Sequence, residues 1–589
     1  MSRSAPSVPV PSRSIPAAVA GVLAVLALAA PPAAAQWTSD PAANTPIAAK
    51  PDQQTQPKVV ALAGGGTYVS WFDADADGSP AYGYDVFLQR LDAAGNRLWA
   101  EDGVLLADRG FSSTEDYGLD VDADDHALVA FRDDRFGGVQ VTVQRVAPDG
   151  TLDWGPNGVQ VTSGDAVRHA PRVAGCTDGD IVVAWTEEGN LWLQRLGPDG
   201  GPKWGPGLQL RAPSGTTYDL ADLHASNDGA VIVSWVHQLG WGGERHLYAQ
   251  KFDAAGTPLW GTAPVKVLES GSLQMGNFPC FVPDGLGGAA FAWYTIEPLR
   301  VWAQRVRADG TEAFPHNGAL ASTEDVEHTS PDVAFDPGTE SLFVYWAERD
   351  AYGAEGIYGQ RFDEDGNRLW GDLGRPVVAR DTGAERKSAR TLADGVETHV
   401  YWTRSTGWSR DVLRGARVDG DGNLLHGPFD VSSAVTRKYD LDAVLDADRV
   451  AVLAWADGRN DDGDVYGQNV NPDGSLGPAG GEPPSEVSPP GSDEPLRFTD
   501  KVTLAWEEGA ASGSDRFDLY RGDPRDLASG DAGSCLRHDL PENTATDEEV
   551  PDPPGSAFQY LVAGVNDAGE GPLGDASDGT PRRPGDPCP

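Results

Sequence analysis

One segment recurs along most of this chain, and it constrains the fold more than any other feature. It starts with Gln and a basic residue, passes through a turn that ends in Gly, and places a Trp four residues later, as in Gln89 to Trp99. Asp and Gly suit a β-hairpin loop, because Asp bonds the backbone ahead and Gly accepts a positive φ. The Trp then anchors the returning strand. Successive copies start 50 to 56 residues apart, at Gln89, Gln144, Gln194, Gln250, Gln304 and Gln360, with weaker copies at Ala416 and Gln468.

A second recurring feature lies before each hairpin. Strands such as Ile181-Val-Val-Ala-Trp185 and Val450-Ala-Val-Leu-Ala-Trp455 are almost continuously apolar, which indicates burial on both faces. A further short strand and a polar turn precede them, so each unit holds four strands. Four-stranded units at this period predict a β-propeller, in which every blade covers its neighbours. A β-solenoid is the alternative, although its coils are usually shorter and do not need four strands.

The number of blades follows from counting strands. The first three strands of the unit occur eight times, but the fourth occurs after only seven of them. The missing strand is predicted at the other end of the chain, because Gln36-Trp37-Thr-Ser-Asp-Pro resembles Leu98-Trp99-Ala-Glu-Asp-Gly. The sequence therefore predicts an all-β protein with an eight-bladed β-propeller over residues 36–477, closed by its N-terminal strand.

These residues also carry a family resemblance. Trp455-Ala-Asp-Gly-Arg459, followed by Asp464-Val-Tyr466-Gly-Gln468, resembles the blades of bacterial exported propeller proteins of the TolB/WD40-like kind. The resemblance covers residues 36–477 and implies the fold. It does not imply one function, because such propellers serve as binding platforms, scaffolds and enzymes. The separate N-terminal domain of TolB has no counterpart here.

The first residues of the chain have the pattern of an export signal peptide. Arg3 and Arg13 precede an apolar run, and Ala33-Ala-Ala35 ends in a pattern typical of signal-peptide cleavage. We therefore expect residues 1–35 to be removed and the protein to be exported, whether secreted, cell-surface or periplasmic. No later segment is long and apolar enough to predict a membrane span.

The net charge of the chain limits the classes of partner that it can bind. The chain has 89 acidic and 45 basic residues, a formal net charge of −44. A surface this acidic repels nucleic acid and anionic membranes, so neither is an expected partner. It suits solubility in salt or the binding of divalent cations. We expect a monomer whose partner is an unidentified protein or glycan.

The C-terminal part differs in character. Residues 478–497 are rich in Pro, Gly, Ser and Glu and predict a linker. Residues 498–582 resemble a fibronectin type III domain, with Trp506 and Tyr520 where such domains place core aromatics and Tyr560 at the corner position. Residues 583–589 are a tail. Cys535 and Cys588 are expected to form a disulfide, whereas Cys176 and Cys280 are expected to be lone, mostly buried thiols.

One stretch has the composition of a metal site. Asp73, Asp75 and Asp77 alternate before Gly78, as in the first half of a calcium loop. The closing acid of such a loop is absent, since its position is taken by Tyr84. A solvated loop is the alternative reading, and calcium is the only cofactor candidate. Similar acidic turns after Asp363 and Asp419 coincide with hairpins, which already explain them.

Catalytic motifs are missing from the sequence. It has no Gly-x-Ser-x-Gly elbow and no His pair with metal-ligand spacing. The hairpin segment resembles the Trp-docking repeat of eight-bladed quinoproteins, which implies a quinone pocket that the sequence does not locate. Our leading expectation is therefore a non-catalytic, exported binding or scaffold protein. The alternatives are a propeller enzyme, of quinoprotein or carbohydrate-active type, and a purely structural envelope protein.

Overall fold

The structure of the chain is a computed structural model. It describes residues 37–74, 83–110, 114, 116–478, 486–489, 492, 494–508, 513–525, 531–551, 553, 556–566, 569–574, 582, 584 and 588. Within these residues the regular structure is β, apart from one short 3-10 turn at Asn227–Gly229. The sheets comprise nine of four strands and one of three.

Eight four-stranded antiparallel sheets follow one another between residues 45 and 470, and they are called sheets 1 to 8. The N-terminal strand β1 (Thr45–Ala48) belongs to sheet 8. The strands of sheets 1 to 4 are β2 (Gln54–Ala61), β3 (Thr67–Ala74), β4 (Tyr84–Leu91) and β5 (Val104–Ala107); β6 (Gly118–Val121), β7 (Ala127–Asp133), β8 (Gln140–Val146) and β9 (Val159–Gln160); β10 (Arg168–Gly175), β11 (Ile181–Glu187), β12 (Asn190–Leu196) and β13 (Leu208–Leu210); β14 (Thr217–Ala225), β15 (Val231–Gln238), β16 (Arg245–Phe252) and β17 (Val265–Leu268).

The strands of sheets 5 to 8 continue the series. They are β18 (Phe281–Pro283), β19 (Ala289–Thr295), β20 (Arg300–Val306) and β21 (Ala319–Leu320); β22 (Glu327–Asp336), β23 (Ser341–Arg349), β24 (Glu355–Phe362) and β25 (Arg375–Asp381); β26 (Glu385–Asp394), β27 (Glu397–Ser405), β28 (Asp411–Val418) and β29 (Leu424–Thr436); β30 (Lys438–Leu445), β31 (Ala451–Asp457) and β32 (Asp464–Val470). In sheets 1 to 7 the spatial order equals the chain order.

The second strand of each of these sheets is largely buried. Every residue of β7 and β31 is buried, which confirms the prediction of strands covered on both faces. The apolar clusters accordingly combine residues of neighbouring sheets, such as Trp235 of sheet 4 with Leu193 of sheet 3. First strands also lie beside each other, and β2 of sheet 1 packs against β30 of sheet 8. The packing therefore continues from the last sheet back to the first, an arrangement consistent with a β-propeller.

The recurring Trp joins one sheet to the next. The indole N–H of Trp99 donates to the carbonyl of Pro148, 3.2 Å away, in the hairpin of the following sheet. The Gly of that hairpin, Gly150, has φ +88°, and a Cβ there would lie 3.3 Å from the Trp99 ring. The hairpin glycine thus accepts the positive φ of the turn and, because it has no side chain, lets the aromatic ring pack against the backbone. The ring–glycine pairs are Trp37–Gly95, Trp99–Gly150, Trp154–Gly200, Trp204–Gly256, Trp260–Gly310, Phe314–Gly366, Trp370–Gly422 and His426–Gly474.

The recurring Gln holds the returning strand within its own sheet. The side-chain carbonyl of Gln360 accepts the backbone N–H of Trp370 at 2.9 Å, and its amide donates to the carbonyl of Gly371 at 2.7 Å. Gln360 is fully buried, so these bonds satisfy backbone groups that water does not reach. Equivalent bonds occur at Gln194, Gln250 and Gln304.

The two ends of the repeat region meet in sheet 8. β1 pairs with β32 in antiparallel register, with Thr45 opposite Gly467 and Ala48 opposite Val465. Gln468 donates to the carbonyl of Thr38 at 2.7 Å, as other recurring glutamines do to the residue after their Trp. Trp37 is buried and donates to the carbonyl of Ala93 in sheet 1, 3.1 Å away.

The C-terminal part holds two further sheets. One has the order β33 (Arg497–Phe498), β34 (Thr503–Ala505) and β37 (Thr544–Thr546). The other has the order β36 (Ser534–Leu540), β35 (Arg516–Gly522), β38 (Gln559–Asn566) and β39 (Gly569–Glu570). Trp506 and Tyr520 are buried, and Tyr560 donates to the Asp547 carboxylate at 2.9 Å. Cys535 and Cys588 are disulfide-bonded, with Cα atoms 5.0 Å apart.

Two sequence expectations concern exposure. Cys176 is buried as expected, but Cys280 is exposed, because it faces an internal cavity rather than the packed core. In the part of the chain that the structure describes, no helix is long and apolar enough to cross a membrane.

Candidate functional site

A cavity of about 900 Å³ is lined by the first strands of all eight sheets, or the residues just before them. One position on each strand forms a ring around this central cavity. In seven sheets the ring residue pairs with the residue just before the recurring aromatic of the second strand, as Lys58 pairs with Ser70. In sheet 5 the same register places Cys280, one residue before β18, opposite Ala292. The ring residues, from sheet 1 to sheet 8, are Lys58, Gly118, Arg172, Asp222, Cys280, Asp332, Arg390 and Asp442.

Charge alternates around this ring. The odd-numbered sheets contribute a cation, except for Cys280 in sheet 5, and sheets 4, 6 and 8 contribute an aspartate. Each aspartate has an oxygen that accepts a backbone N–H from the following sheet: Asp442 from Val59 at 3.0 Å, Asp222 from Phe281 at 3.2 Å, and Asp332 from Thr391. The carboxyl groups are therefore held in place by backbone rather than by mobile side chains.

Sheet 2 departs from this pattern for a steric reason. A Cβ on Gly118 would lie 2.6 Å from the backbone nitrogen of Val173, so no side chain fits at that ring position. Asp116, two residues earlier, supplies the negative charge instead. Its carboxylate lies 2.8 Å from the ammonium of Lys58 and also pairs with the guanidinium of Arg172. Burial would raise the pKa of Asp116, but Lys58 and Arg172 outweigh burial and hold that pKa well below its usual range.

Asp332 differs from the other acids of the ring. Burial raises its pKa to about 6, although Arg390 opposes the shift. Its neighbour across Arg390 is Asp442, whose oxygen lies 4.0 Å from the Arg390 guanidinium. The pKa of Arg390 is raised, since the two aspartates outweigh the opposing effect of burial. The cavity thus holds a carboxyl group that is half protonated near pH 6, next to an ion-paired carboxylate.

Asp222, on the other side of Cys280, is already partnered. Its carboxylate accepts from the ring nitrogen of His224 at 3.0 Å. Burial would raise its pKa, but His224 and Arg172 outweigh burial and lower it. For His224, burial lowers the pKa, yet Asp222 outweighs burial and the net shift is upward. The cavity therefore also holds an imidazole oriented by a carboxylate.

Cys280 explains why Asp332 is the unusual acid. An odd-numbered sheet would place a cation between Asp222 and Asp332, but sheet 5 places a neutral thiol there. Desolvation within the cavity raises the pKa of Cys280 to about 12, so the thiol carries no charge at neutral pH. Asp332 consequently has a cation on only one side, whereas Asp442 stands between Arg390 and Lys58 in ring order.

The segment before β18 forms a lip at the cavity. Met275 and Phe278 are exposed, and the guanidinium of Arg245 lies 4.9 Å from the Phe278 ring. Tyr294, on β19, donates to the side-chain carbonyl of Gln274 at 2.6 Å. All four of Gln274, Met275, Phe278 and Tyr294 line the cavity. This side of the cavity offers apolar and aromatic surface beside the charged ring.

Asp73, the one calcium candidate among the described residues, does not line this cavity. Asp73 is fully buried, 3.2 Å from the ammonium of Lys50, and it accepts from Gln54 at 3.3 Å. Asp75 and Asp77 lie outside the described residues, so a calcium loop there stays a prediction.

The acids that follow the second-strand Trp residues have structural partners. Asp457 accepts from the Trp455 indole at 2.9 Å and pairs with Lys438 at 2.6 Å, both fully buried. Glu187 and Glu348 bind their own Trp in the same way.

Sequence reasoning missed the ring because its members have no common residue type. A weaker signal was present. In four sheets a proline directly precedes the ring residue and an apolar residue directly follows the ring residue. These prolines are Pro57, Pro171, Pro279 and Pro331. Aligning the first strands on these prolines would have placed Lys58, Arg172, Cys280 and Asp332 at one level.

Comparison with known proteins gives structural similarity only. No protein family and no curated protein sequence matches the chain. A polysaccharide lyase, Uly1, is 9% identical with a TM-score of 0.38, covering 71% of this chain and 90% of its own. An ulvan lyase of family PL25, bound to -[GlcA(1-4)Rha3S]-, is 10% identical with a TM-score of 0.41, covering 75% and 96%. An α-L-arabinofuranosidase from Clostridium thermocellum is 16% identical with a TM-score of 0.27, covering 44% and 91%.

The expectation of a non-catalytic binding or scaffold protein is corrected by these findings. The similar structures include polysaccharide lyases and glycoside hydrolases, which are enzymes rather than scaffolds. Proteins of other activities are similar to the same extent. At such low identities and TM-scores, no residue role is transferred to this chain.

Proposed function

We propose that this protein is a carbohydrate-active enzyme that hydrolyses a glycosidic bond in the central cavity. The observation that carries the proposal is the pair of anchored carboxyl groups, Asp332 with its pKa raised to about 6 and Asp442 ion-paired with Arg390. Glycoside hydrolysis needs one carboxylic acid that can give a proton and one carboxylate that stays ionised.

The roles follow from the two environments. Asp332 is the general acid that protonates the departing glycosidic oxygen. Asp442 is the carboxylate that either removes a proton from the attacking water or attacks the anomeric carbon itself. Each has one oxygen on a backbone N–H, of Thr391 or of Val59, so its second oxygen can face substrate without a change of rotamer.

The charge of the molecule favours an uncharged glycan. With a formal charge of −44, the protein repels polyanions before they reach the cavity. Within the ring the cations of Lys58, Arg172 and Arg390 are all faced by carboxylates. A neutral polysaccharide is therefore the proposed substrate class.

A second candidate reaction is β-elimination, in which a uronate-containing chain is cleaved without water. The imidazole of His224, oriented by Asp222, would be the proton-transferring group, and the cations of the ring would neutralise the uronate carboxylate. The general repulsion of polyanions argues for hydrolysis as the first candidate.

The test is an activity screen on neutral polysaccharides (cellulose, xylan, mannan, arabinan) and on uronate-containing ones (alginate, pectin). New reducing ends without ultraviolet absorbance indicate hydrolysis, whereas absorbance from an unsaturated sugar indicates elimination. Asp332→Asn and Asp442→Asn should each lower kcat by about 10²- to 10⁴-fold. Asp199→Asn, in an exposed hairpin turn, is the matched control and should keep full activity. If no polysaccharide is cleaved, or if both variants remain fully active, the assignment is wrong.

We also propose a finer architecture for the chain. Sheets 1 to 8 would be the blades of an eight-bladed propeller of the TolB/WD40-like kind, and the pairing of β1 with β32 supports closure by the N-terminal strand. The C-terminal sheets would form a fibronectin type III-like domain, an idea supported by the buried Trp506 and Tyr520. Removal of residues 1–35 would deliver an exported protein. N-terminal sequencing of the secreted chain tests the last point, since we expect a start near Gln36.

A further inference from the structure

Among the described residues, three aromatic side chains stand almost entirely in solvent. The exposed fraction is 104% for Trp241, 91% for Tyr352 and 91% for Trp408. Each occupies the loop between the second and third strands of its sheet, in sheets 4, 6 and 7 respectively. Side chains this exposed contribute nothing to the packing of the fold, so their large apolar faces are free to contact a ligand.

These loops lie on the same face of the molecule as the cavity lip. The loops after second strands lie at the end of the sheet where first strands begin, since neighbouring strands are antiparallel. The lip residues Met275 and Phe278 directly precede the first strand of sheet 5. Trp241, Tyr352 and Trp408, with the lip between them, therefore form an arc over sheets 4 to 7. Asp332, in sheet 6, belongs to the same sector.

The arc is a series of separate rings rather than a continuous apolar patch. Glycines flank Trp241 on both sides, Tyr352 lies between Ala351 and Gly353, and Trp408 lies between Gly407 and Ser409. A stable protein interface needs a contiguous, desolvated core around its aromatic anchors, and isolated rings on polar loops do not provide one. Separate flat rings suit a ligand that presents repeated flat units at intervals.

Charge selects among such ligands. Nucleic acid bases also stack on exposed aromatic rings, but their backbone requires basic neighbours, and this chain carries a formal charge of −44. Anionic lipid surfaces are disfavoured for the same reason. Uncharged sugar rings have apolar faces that stack on Trp and Tyr without bringing charge to the surface.

We propose that the arc of Trp241, Tyr352 and Trp408 is a binding surface for a long, uncharged polysaccharide, which it holds across the mouth of the cavity. The inference deepens the proposed function, since the chain held by the arc would be the substrate cleaved at Asp332. It names the substrate as a polymer spanning several loops rather than a short oligosaccharide confined to the cavity.

The test uses the full-length mature protein and insoluble cellulose, chitin, xylan and mannan. Wild-type protein should be retained by at least one of them. Each of Trp241→Ala, Tyr352→Ala and Trp408→Ala should weaken retention about three- to tenfold, and the triple variant should weaken it by more than tenfold. All variants should melt at the wild-type temperature, because the removed rings are not packed.

A matched control lies at the opposite end of the sheets. Leu98, Leu259 and Leu369 follow the hairpins between third and fourth strands and are 48%, 46% and 48% exposed. The triple variant Leu98→Ala/Leu259→Ala/Leu369→Ala removes exposed apolar groups away from the arc and should bind like the wild type.

The results separate this inference from the catalytic one. Asp332→Asn should be retained normally although it is inactive, and the triple aromatic variant should cleave short soluble oligosaccharides while losing action on the insoluble polymer. If the wild type is retained by a polysaccharide but cleaves none, the arc is a glycan-binding surface and the proposed hydrolysis is wrong. If no polysaccharide retains the wild type, or if the triple aromatic variant binds as well as the wild type, the arc is not a glycan surface. The glycan assignment would also be wrong if the wild type bound anionic vesicles and the triple aromatic variant did not.

Discussion

At the scale of single residues, the property that makes the cavity chemically useful arises from one neutral position. The ring alternates cations with carboxylates, and a cation on each side of an acid favours its ionised form. Cys280 interrupts it in sheet 5. Asp332 then lacks a cation on one side, and burial raises its pKa to about 6. A carboxyl group with a pKa near 6 can give up a proton close to neutral pH, whereas the pKa values of Asp116 and Asp222 are lowered.

The first prediction tests this cause directly. As a general acid, Asp332 must be protonated, so kcat/KM should fall as pH rises through about 6. Cys280→Lys places a cation beside Asp332, favours its ionised form, and should move the alkaline limb of the pH profile about one unit lower. Cys280→Ser keeps the position neutral and should leave that limb in place. Equal pH profiles for the two variants would show that Cys280 does not control Asp332.

A second prediction concerns two glycines that have nearly the same backbone conformation. Gly366 has φ +82° and a Cβ there would lie 2.7 Å from the Phe314 ring, whereas Gly371 has φ +84° and nothing within 4 Å. Gly371→Ala should lower the free energy of unfolding by about 1–2 kcal/mol, through backbone strain alone. Gly366→Ala should lower it by a further 1–3 kcal/mol or so, because the methyl group displaces a docked ring. Urea unfolding measures the free energy of unfolding of both variants. Equal decreases would mean that the contact between Gly366 and the Phe314 ring does not contribute to stability.

At the scale of one sheet, the fourth strand depends on a side chain rather than on a long ladder. β9 and β21 have only two residues each, and the returning segment is held instead by the recurring Gln. That residue bridges the backbone on both sides of the docking aromatic. It explains why Gln and Trp recur at a fixed distance, although the Gln lies on the third strand and the Trp lies before the fourth.

The third prediction follows from that bridge. Gln360→Leu keeps the volume of a fully buried side chain but leaves the N–H of Trp370 and the carbonyl of Gly371 without partners. Each unsatisfied group costs about 1–3 kcal/mol, so the free energy of unfolding should fall by about 2–6 kcal/mol. Gln160→Leu, at an exposed position of β9, should change it by less than about 0.5 kcal/mol. A loss at Gln360 no larger than at Gln160 would contradict the bridging role.

The same contrast shows what could be predicted from the sequence. The same residue types, Trp, Gln and Gly, recur because each has the same structural role in nearly every sheet. The sequence therefore predicted the four-stranded units and their length. The ring positions carry Lys58, Gly118, Cys280 and Asp332, which share a location but not a chemistry. Their importance depends on the strand register and on the neighbours across sheets. Likewise, the exposure of Trp241 and Trp408 depends on loops that no periodic pattern describes.

At the scale of the whole molecule, the ends of the repeat region complete a single sheet. Sheet 8 takes three strands from residues 438–470 and its fourth from Thr45–Ala48. Its docking Trp, Trp37, also comes from the N-terminal segment and seats on the hairpin of sheet 1 at Gly95. The contact between the last sheet and the first therefore depends on a segment separated from its partners by the whole repeat region. Stability of the assembly should be unusually sensitive to that segment.

The fourth prediction tests this dependence. Trp37 is 3% exposed and bonded to the carbonyls of Ala93 and Ala94. Trp37→Ala should therefore lower the free energy of unfolding by about 3–5 kcal/mol, as expected for a buried Trp. Deleting residues 36–49 should lower the melting temperature further and promote aggregation, because β32 then becomes an unpaired edge. Trp408→Ala removes an indole that is 91% exposed and should leave the melting temperature unchanged. If the deletion melts like the wild type, the N-terminal segment does not hold the last sheet to the first, and the proposed closure of the eight sheets is wrong.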